Sequence, residues 1–123
     1  MTSAIALREE VRRLLLAEGR AMSVRVNTPG TYDEASGATS TPSSTTIEGR
    51  GRVGTYRDFV VAQSNGLILL GDRVCTFQPN NWASVPNVGN ELVDGSKRYS
   101  IVGIKVRELD EVICYTFQLR NHG

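Results

Sequence analysis

The hydrophobic period of this chain changes once and does not change back. Residues 2–19, TSAIALREEVRRLLLAEG, place their apolar side chains at helical spacing, and from Met22 onward the apolar positions alternate. Apolar residues every three to four positions mark one face of a helix, whereas strict alternation marks a half-buried strand. No helical stretch separates the later strands, so the parallel crossovers that need a connection of about a dozen residues or more have nothing to build them. The expected fold is therefore mainly β, a small antiparallel β-barrel or sandwich of about six strands with an N-terminal α-helix. At 123 residues the chain fits one core. The expected division is an N-terminal helix over 1–19 and a single β-barrel domain over 20–123 with an extended loop at 28–46.

Thr2 or Ser3 can cap the helix and Gly19 can end it. On a helical wheel Ala4, Leu7, Val11, Leu14 and Leu15 form one stripe, and Glu9 with Arg13 makes an i,i+4 pair elsewhere. Ile5 and Leu16 fall on the opposite side beside Arg12, a second and smaller apolar patch facing away from the core.

Met22, Val24 and Val26 begin the strand pattern. In TIEGRGRVG, Ile47, Gly49, Gly51 and Val53 share one face, with Arg50 and Arg52 on the other. Glycines on an inward face imply that another backbone or a large side chain approaches closely, as a tightly curved small barrel requires. NGLILL reads as a turn and a short apolar run, and DRVCTFQ as a strand. Asp94-Gly95 is a hairpin signal. Tyr99 and Ile101 are out of phase by one residue with Ile104 and Val106, which a bulge at Gly103 would correct. ELDEV turns the chain, and VICYTFQLR closes it with Ile113, Tyr115, Phe117 and Leu119 on one side.

Between the first two strands lies NTPGTYDEASGATSTPSSTT, residues 27–46. Loops longer than about 12–15 residues are uncommon in compact domains and are usually functional or disordered. Its threonines favour extended backbone, yet nothing in it could build a core.

With 14 Lys+Arg against 13 Asp+Glu, the net charge of +1 gives no global field to draw the chain onto nucleic acid or an anionic membrane. Cys75 and Cys114 stand far apart without a CxxC, which points to reduced, buried thiols. No apolar run approaches the ~18 residues of a membrane span, and Arg8, Glu9 and Glu10 interrupt any signal-peptide core, so a soluble, cytosolically made protein is expected. The single histidine, His122, stands one residue from the end. Asp110-Glu111 and Glu9-Glu10 are neighbours whose side chains point apart. Without a nucleophile, base and oxyanion constellation, no enzyme activity, cofactor or metal is expected. Arg50 and Arg52, near Arg57 and Arg25, can be read as phosphate contacts on a small barrel, or as exposed or intersubunit ion pairs. Trp82, with Val85 and Val88 nearby, can be a lid over the barrel end or an interface anchor.

VNTPGTYDEASGATS, GDRVCTFQPNNWASVPNVGNELVDGSKRYSIVGIKV and VICYTFQLR together resemble the small head-tail joining proteins of tailed bacteriophages, of the head-closure or stopper type. In that family a helix precedes a strand ending in a TPGTYD...TG turn, followed by a GDR strand, a P.PGD loop, a DGxxYxIVxV hairpin and a final YELQVR-like strand. The match covers most of the chain and carries no catalytic signature. Asn90 stands where the family usually has Asp, and Asn80-Asn81-Trp82 differs from its usual small-residue loop. The resemblance implies a homo-oligomeric ring, expected to be a hexamer, in the virion neck. It would have portal and adaptor proteins above, a tail terminator or tail tube below, packaged double-stranded DNA passing through its channel, and no membrane partner. Made in the host bacterial cytoplasm, it would close the filled head and retain DNA. Interface residues expected on this basis are Ile5, Arg12, Leu16, Tyr32, Asp33, Thr39, Trp82 and Val85, with 28–46 as a long β-hairpin arm. Arg50, Arg52 and Arg57 are the candidates to face DNA. The alternatives are a nucleic-acid-binding small β-barrel module, another neck protein such as a tail terminator, and a small-ligand or enzyme module.

Overall fold

The computed structural model describes residues 3–28, 32–33, 37–39, 43–57, 60 and 63–121. Helix α1 spans Ala4–Glu18, and the Ser3 Oγ accepts the Ala6 N–H at 3.2 Å, so Ser3 is the cap; Thr2 and His122 lie outside the described residues. Ala4 and Leu15 are buried, and Leu7 and Val11 pack partly against the sheet. Leu14, placed on the same stripe by its spacing, is 47% exposed. At about 100° per residue it lies furthest round the wheel from Ala4 and Leu15, beyond the width of the contact.

The strands are β1 (Arg20–Thr28), β2 (Tyr32–Asp33), β3 (Ala38–Thr39), β4 (Ser43–Thr55), β5 (Arg73–Pro79), β6 (Glu91–Asp94), β7 (Lys97–Glu108) and β8 (Val112–Asn121). Six of them close an antiparallel barrel in the order β1-β4-β5-β8-β7-β6, with β6 returning to β1, and β2 and β3 form a separate two-stranded sheet. The expected β-barrel with an N-terminal helix is the fold observed. Because the strands alternate in direction, the connections sort to two ends. The α1–β1 junction, the β4–β5 connection and the β6–β7 turn lie at one end, here the lower. The β1–β4 arm, the β5–β6 loop and the β7–β8 turn lie at the upper end.

The polar stretch is shorter than its composition suggests. β1 and β4 pair without interruption from Arg20↔Gly51 to Thr28↔Ser43, so residues 43–46 are strand. β6 joins β1 only at Ser23–Arg25, and β5 joins β4 only from Gly49 onward. The segments Val26–Thr28 and Ser43–Thr45 therefore run past both flanking strands as a two-stranded ribbon. Ladder hydrogen bonds need no buried face, which is why a core-less Ser/Thr sequence can still extend the pair.

Inside the barrel Met22, Val24, Ile47, Cys75, Phe77, Leu92, Tyr99, Ile101, Tyr115, Phe117 and Leu119 form the main core. Phe77 and Phe117 meet at 5.4 Å between ring centroids. Ile113, in phase with Tyr115 and Phe117, instead joins Ala4 and Cys114 in a second cluster beneath the helix. The inward glycines face the close neighbours their positions required: a Cβ at Gly49 would stand 2.6 Å from the Phe77 ring and 2.3 Å from the Gln78 carbonyl oxygen. Gly19 ends the helix by clearance, with extended backbone, because a Cβ there would sit 2.6 Å from the Gly51 carbonyl oxygen. Gly95 takes φ 61° between the paired Asp94 and Lys97, as the first turn residue of a type II′ hairpin does. The β7–β8 register shifts between Ile101 and Gly103, the expected bulge, and again between Arg107 and Glu108. Ile104 thereby returns to the core, whereas Val106 stays exposed where β7 outruns the barrel.

Candidate functional site

Three of the residues nominated as interface come together in one open groove. Ile5, Arg8, Glu9 and Arg12 of α1, Gln78 of β5 and Trp82 line a depression of about 260 Å³. Trp82 is half-buried, stacks on Tyr115 at 6.3 Å and packs against the main core, so it serves as the lid over the upper barrel end. Its other face remains in the groove beneath the Arg8 guanidinium, 4.1 Å from the ring centroid. Arg8, which sequence reasoning did not single out, ties the groove together. It donates to the Val112 carbonyl oxygen and pairs with Glu111 at 3.6 Å. Gln78, buried below the helix, donates to the carbonyl oxygens of Arg8 and Ile113, both at 3.0 Å. Ile5 and Leu16 are exposed on the outward stripe of α1, and Val85 is exposed in the β5–β6 loop. The expected Glu9–Arg13 pair is absent among the described ion pairs.

The arginine strand is committed elsewhere. Arg50 donates to the Leu15 and Gly19 carbonyl oxygens at 3.4 Å, meeting the negative end of the α1 dipole. Arg52 pairs with Glu18 at 2.7 Å. Two of the three arginines read as DNA-facing thus fasten the helix C-terminus to β4, while the third, Arg57, is exposed beyond the lower end of β4. We expect Arg50→Ala to cost ~1 kcal/mol, the scale of a charge at a helix terminus, in urea denaturation. Arg52→Ala should cost less than about 0.5 kcal/mol, as exposed pairs do. If DNA retention in a gel-shift series at rising salt falls with either variant while the fold is intact, the arginines have a phosphate-binding role as well.

In the arm, the backbones of Tyr32 and Thr39 pair, as do those of Asp33 and Ala38. Residues 29–31, 34–36 and 40–42 lie outside the described residues.

Sequence reasoning missed a second feature. Between β4 and β5 the segment from Gln63 to Gly71 carries no charge, and Leu67, Leu69 and Leu70 are 76%, 46% and 88% exposed. The segment is braced from below. Asp72 is buried, and its carboxylate accepts from Arg120 through two bonds of 3.1 Å, from the Leu69 N–H at 2.9 Å and from Gln118 at 3.0 Å. These donors hold its carboxyl well below the ordinary range, to about 2, with the Arg120 hydrogen bonds the largest cause. Gln118 also donates to the Leu67 carbonyl oxygen at 2.7 Å, and the Ser64 Oγ accepts the Ile68 N–H at 3.1 Å. The available sequence signal was four consecutive aliphatics, Leu67 to Leu70, between Gly66 and Gly71, a run without the alternation of a strand.

Burial pushes the Cys75 thiol up to about 12 and raises that of Cys114, which leaves both protonated at neutral pH. Among the described residues no group of three or more His, Cys, Asp or Glu side chains converges as a metal site would need. Among the described residues no helix is long and apolar enough to cross a membrane. Neither a protein-family model nor a curated protein matches the chain.

Proposed function

We propose that this chain is a structural component of a bacteriophage neck, a head-closure ring that joins portal and adaptor to the tail and holds packaged DNA. The observation that carries the proposal is the ribbon formed by Val26–Thr28 and Ser43–Thr45, which leaves the barrel past both neighbouring strands. A ring subunit around a channel needs an element that reaches beyond its own core, and an unpaired polar strand edge can order by pairing with another chain. The exposed groove of Ile5, Arg12 and Trp82 supplies a second contact surface whose aromatic anchor is already held in place.

A reconstruction of purified particles with this chain located in the density tests the proposal. A ring at the vertex between head and tail is the expected result, and a particle without the chain would sink it. Deleting residues 34–43 should leave the barrel folded and abolish neck assembly, read as heads that lose their DNA. Intact assembly after that deletion would remove the arm from the account.

The second reading, a nucleic-acid-binding barrel, has less to stand on. Arg50 and Arg52 are engaged with the helix terminus and Glu18. Its test is the salt dependence of duplex and single-strand binding, since phosphate contacts give a steep loss of affinity with salt.

A further inference from the structure

We infer that the two ends of the barrel are complementary docking surfaces for one another on successive copies of this chain, the leucine segment of one copy seating on the β7–β8 turn of the next. The inference deepens the ring proposal and rests on it for closure, but it names its own surfaces.

The lower end offers the apolar segment Leu67–Leu70, with Leu70 the most exposed large hydrophobic among the described residues. A loop held by Asp72, Gln118 and Ser64 before any partner arrives has little ordering entropy left to lose on docking. The same end of the barrel carries exposed positive charge. Arg57, Lys97 and Arg98 are exposed at the same end and, among the described residues, pair with no carboxylate; Arg20 and Arg120 are neutralised by Asp94 and Asp72.

The upper end carries the reverse combination. Leu109, 57% exposed, tips the β7–β8 turn between Glu108 on one side and Asp110 and Glu111 on the other. Among the described residues, Glu111 alone of these carboxylates has an ion-pair partner, Arg8, and the exposed cations on the adjoining stretch of β7 are Lys105 and Arg107. Val85 and Val88 add exposed apolar surface in the β5–β6 loop above the same end.

An uncharged leucine segment at a basic end thus stands at the opposite end of the barrel from a leucine-tipped acidic turn on the same molecule. Patches of opposite sign at opposite ends cannot meet within one subunit, and like ends repel. Two different patches that fit each other make a heterologous contact, which closes into a ring when the rotation between copies permits it. Opposite potentials favour this register over a two-fold one.

Cysteine cross-linking on the full chain tests the contact, because both native thiols are buried. Leu70→Cys and Leu109→Cys variants are oxidised separately and mixed, at roughly millimolar protein, where even a contact with Kd near 1 mM is substantially populated. A disulfide-linked dimer should form in the mixture and not in either variant alone. Reversing Lys97 and Arg98 to glutamate in the Leu70→Cys chain should lower the yield about tenfold, and reversing Glu108 and Asp110 to lysine in the other chain should restore it. Dimers of Leu70→Cys alone, at the yield of the mixture, would overturn the inference in favour of a two-fold contact. No adduct in the mixture also overturns it, and binding of phosphatidylglycerol vesicles that is lost in Leu70→Asp would then assign the segment to a lipid surface. An adduct from a chain absent from the particle leaves the contact standing and the neck proposal fallen. A neck ring in which Leu70 and Leu109 of neighbours lie apart does the opposite.

Discussion

Alanine at position 49 is expected to lower the stability of the barrel by ~3 kcal/mol, the upper part of the range for overpacking a well-packed core. For a chain between the usual small and medium domain sizes, that is a drop in melting temperature of about 12 °C. The added methyl would stand 2.3 Å from the Gln78 carbonyl oxygen and 2.6 Å and 2.9 Å from two Phe77 ring carbons. The carbonyl cannot yield easily, because β5 is paired to β4 on one side and β8 on the other. Gly54→Ala is the matched control in the same strand, its nearest atom being a Val74 methyl at 3.9 Å, and it should change stability by less than about 0.5 kcal/mol. Phe77→Leu placed in the Gly49→Ala background should recover only part of the loss, since the backbone clash remains. Equal melting temperatures for the alanine variants at 49 and 54 would refute the close-packing account of β4.

Asp72→Asn is the second large effect. Removing one partner of a buried pair costs about 3–5 kcal/mol when the other charge is left stranded. Here the Arg120 side chain is 39% exposed and can turn to water, so ~2–3 kcal/mol is the expected loss in urea denaturation at neutral pH. The pH dependence has a definite sign. The carboxyl titrates at about 2 in the folded chain against 3.8 ordinarily. A carboxylate whose pKa is depressed by folding contributes its full stabilisation above its unfolded pKa and loses it as the pH falls through the folded one. Wild-type stability should therefore decline from about pH 4 toward about pH 2, and the Asp72→Asn variant should show a shallower decline over that interval. Parallel acid curves for the two proteins would show that Asp72 is not the group responsible. The same variant removes the brace under Leu67–Leu70, so proteolytic nicking between Gln63 and Gly71 should become faster.

The helix with a cap at Thr2 or Ser3, the inward row of Ile47, Gly49, Gly51 and Val53, the Asp94-Gly95 hairpin and the bulge at Gly103 are all legible in the sequence. Each is local: period, turn chemistry and the absence of a Cβ are properties of neighbouring residues. What Arg50 and Arg52 face was not legible, because their partners Leu15, Gly19 and Glu18 are brought beside them only when α1 folds back along β4. The length of the ribbon escaped for a related reason, since Ser43–Thr46 have a strand partner but no buried face to announce it. Asp72 belongs to the same class. Its donors Gln118 and Arg120 lie more than forty positions away and meet it only through the β5–β8 pairing. The order of residues thus determined which segments are helix, strand and turn, and that one antiparallel β core would form. The docking of α1 on β4 and the closure of the barrel decided which charges are spent on holding the fold and which remain at its two ends, because charge pairing depends on distances that the chain acquires only in three dimensions.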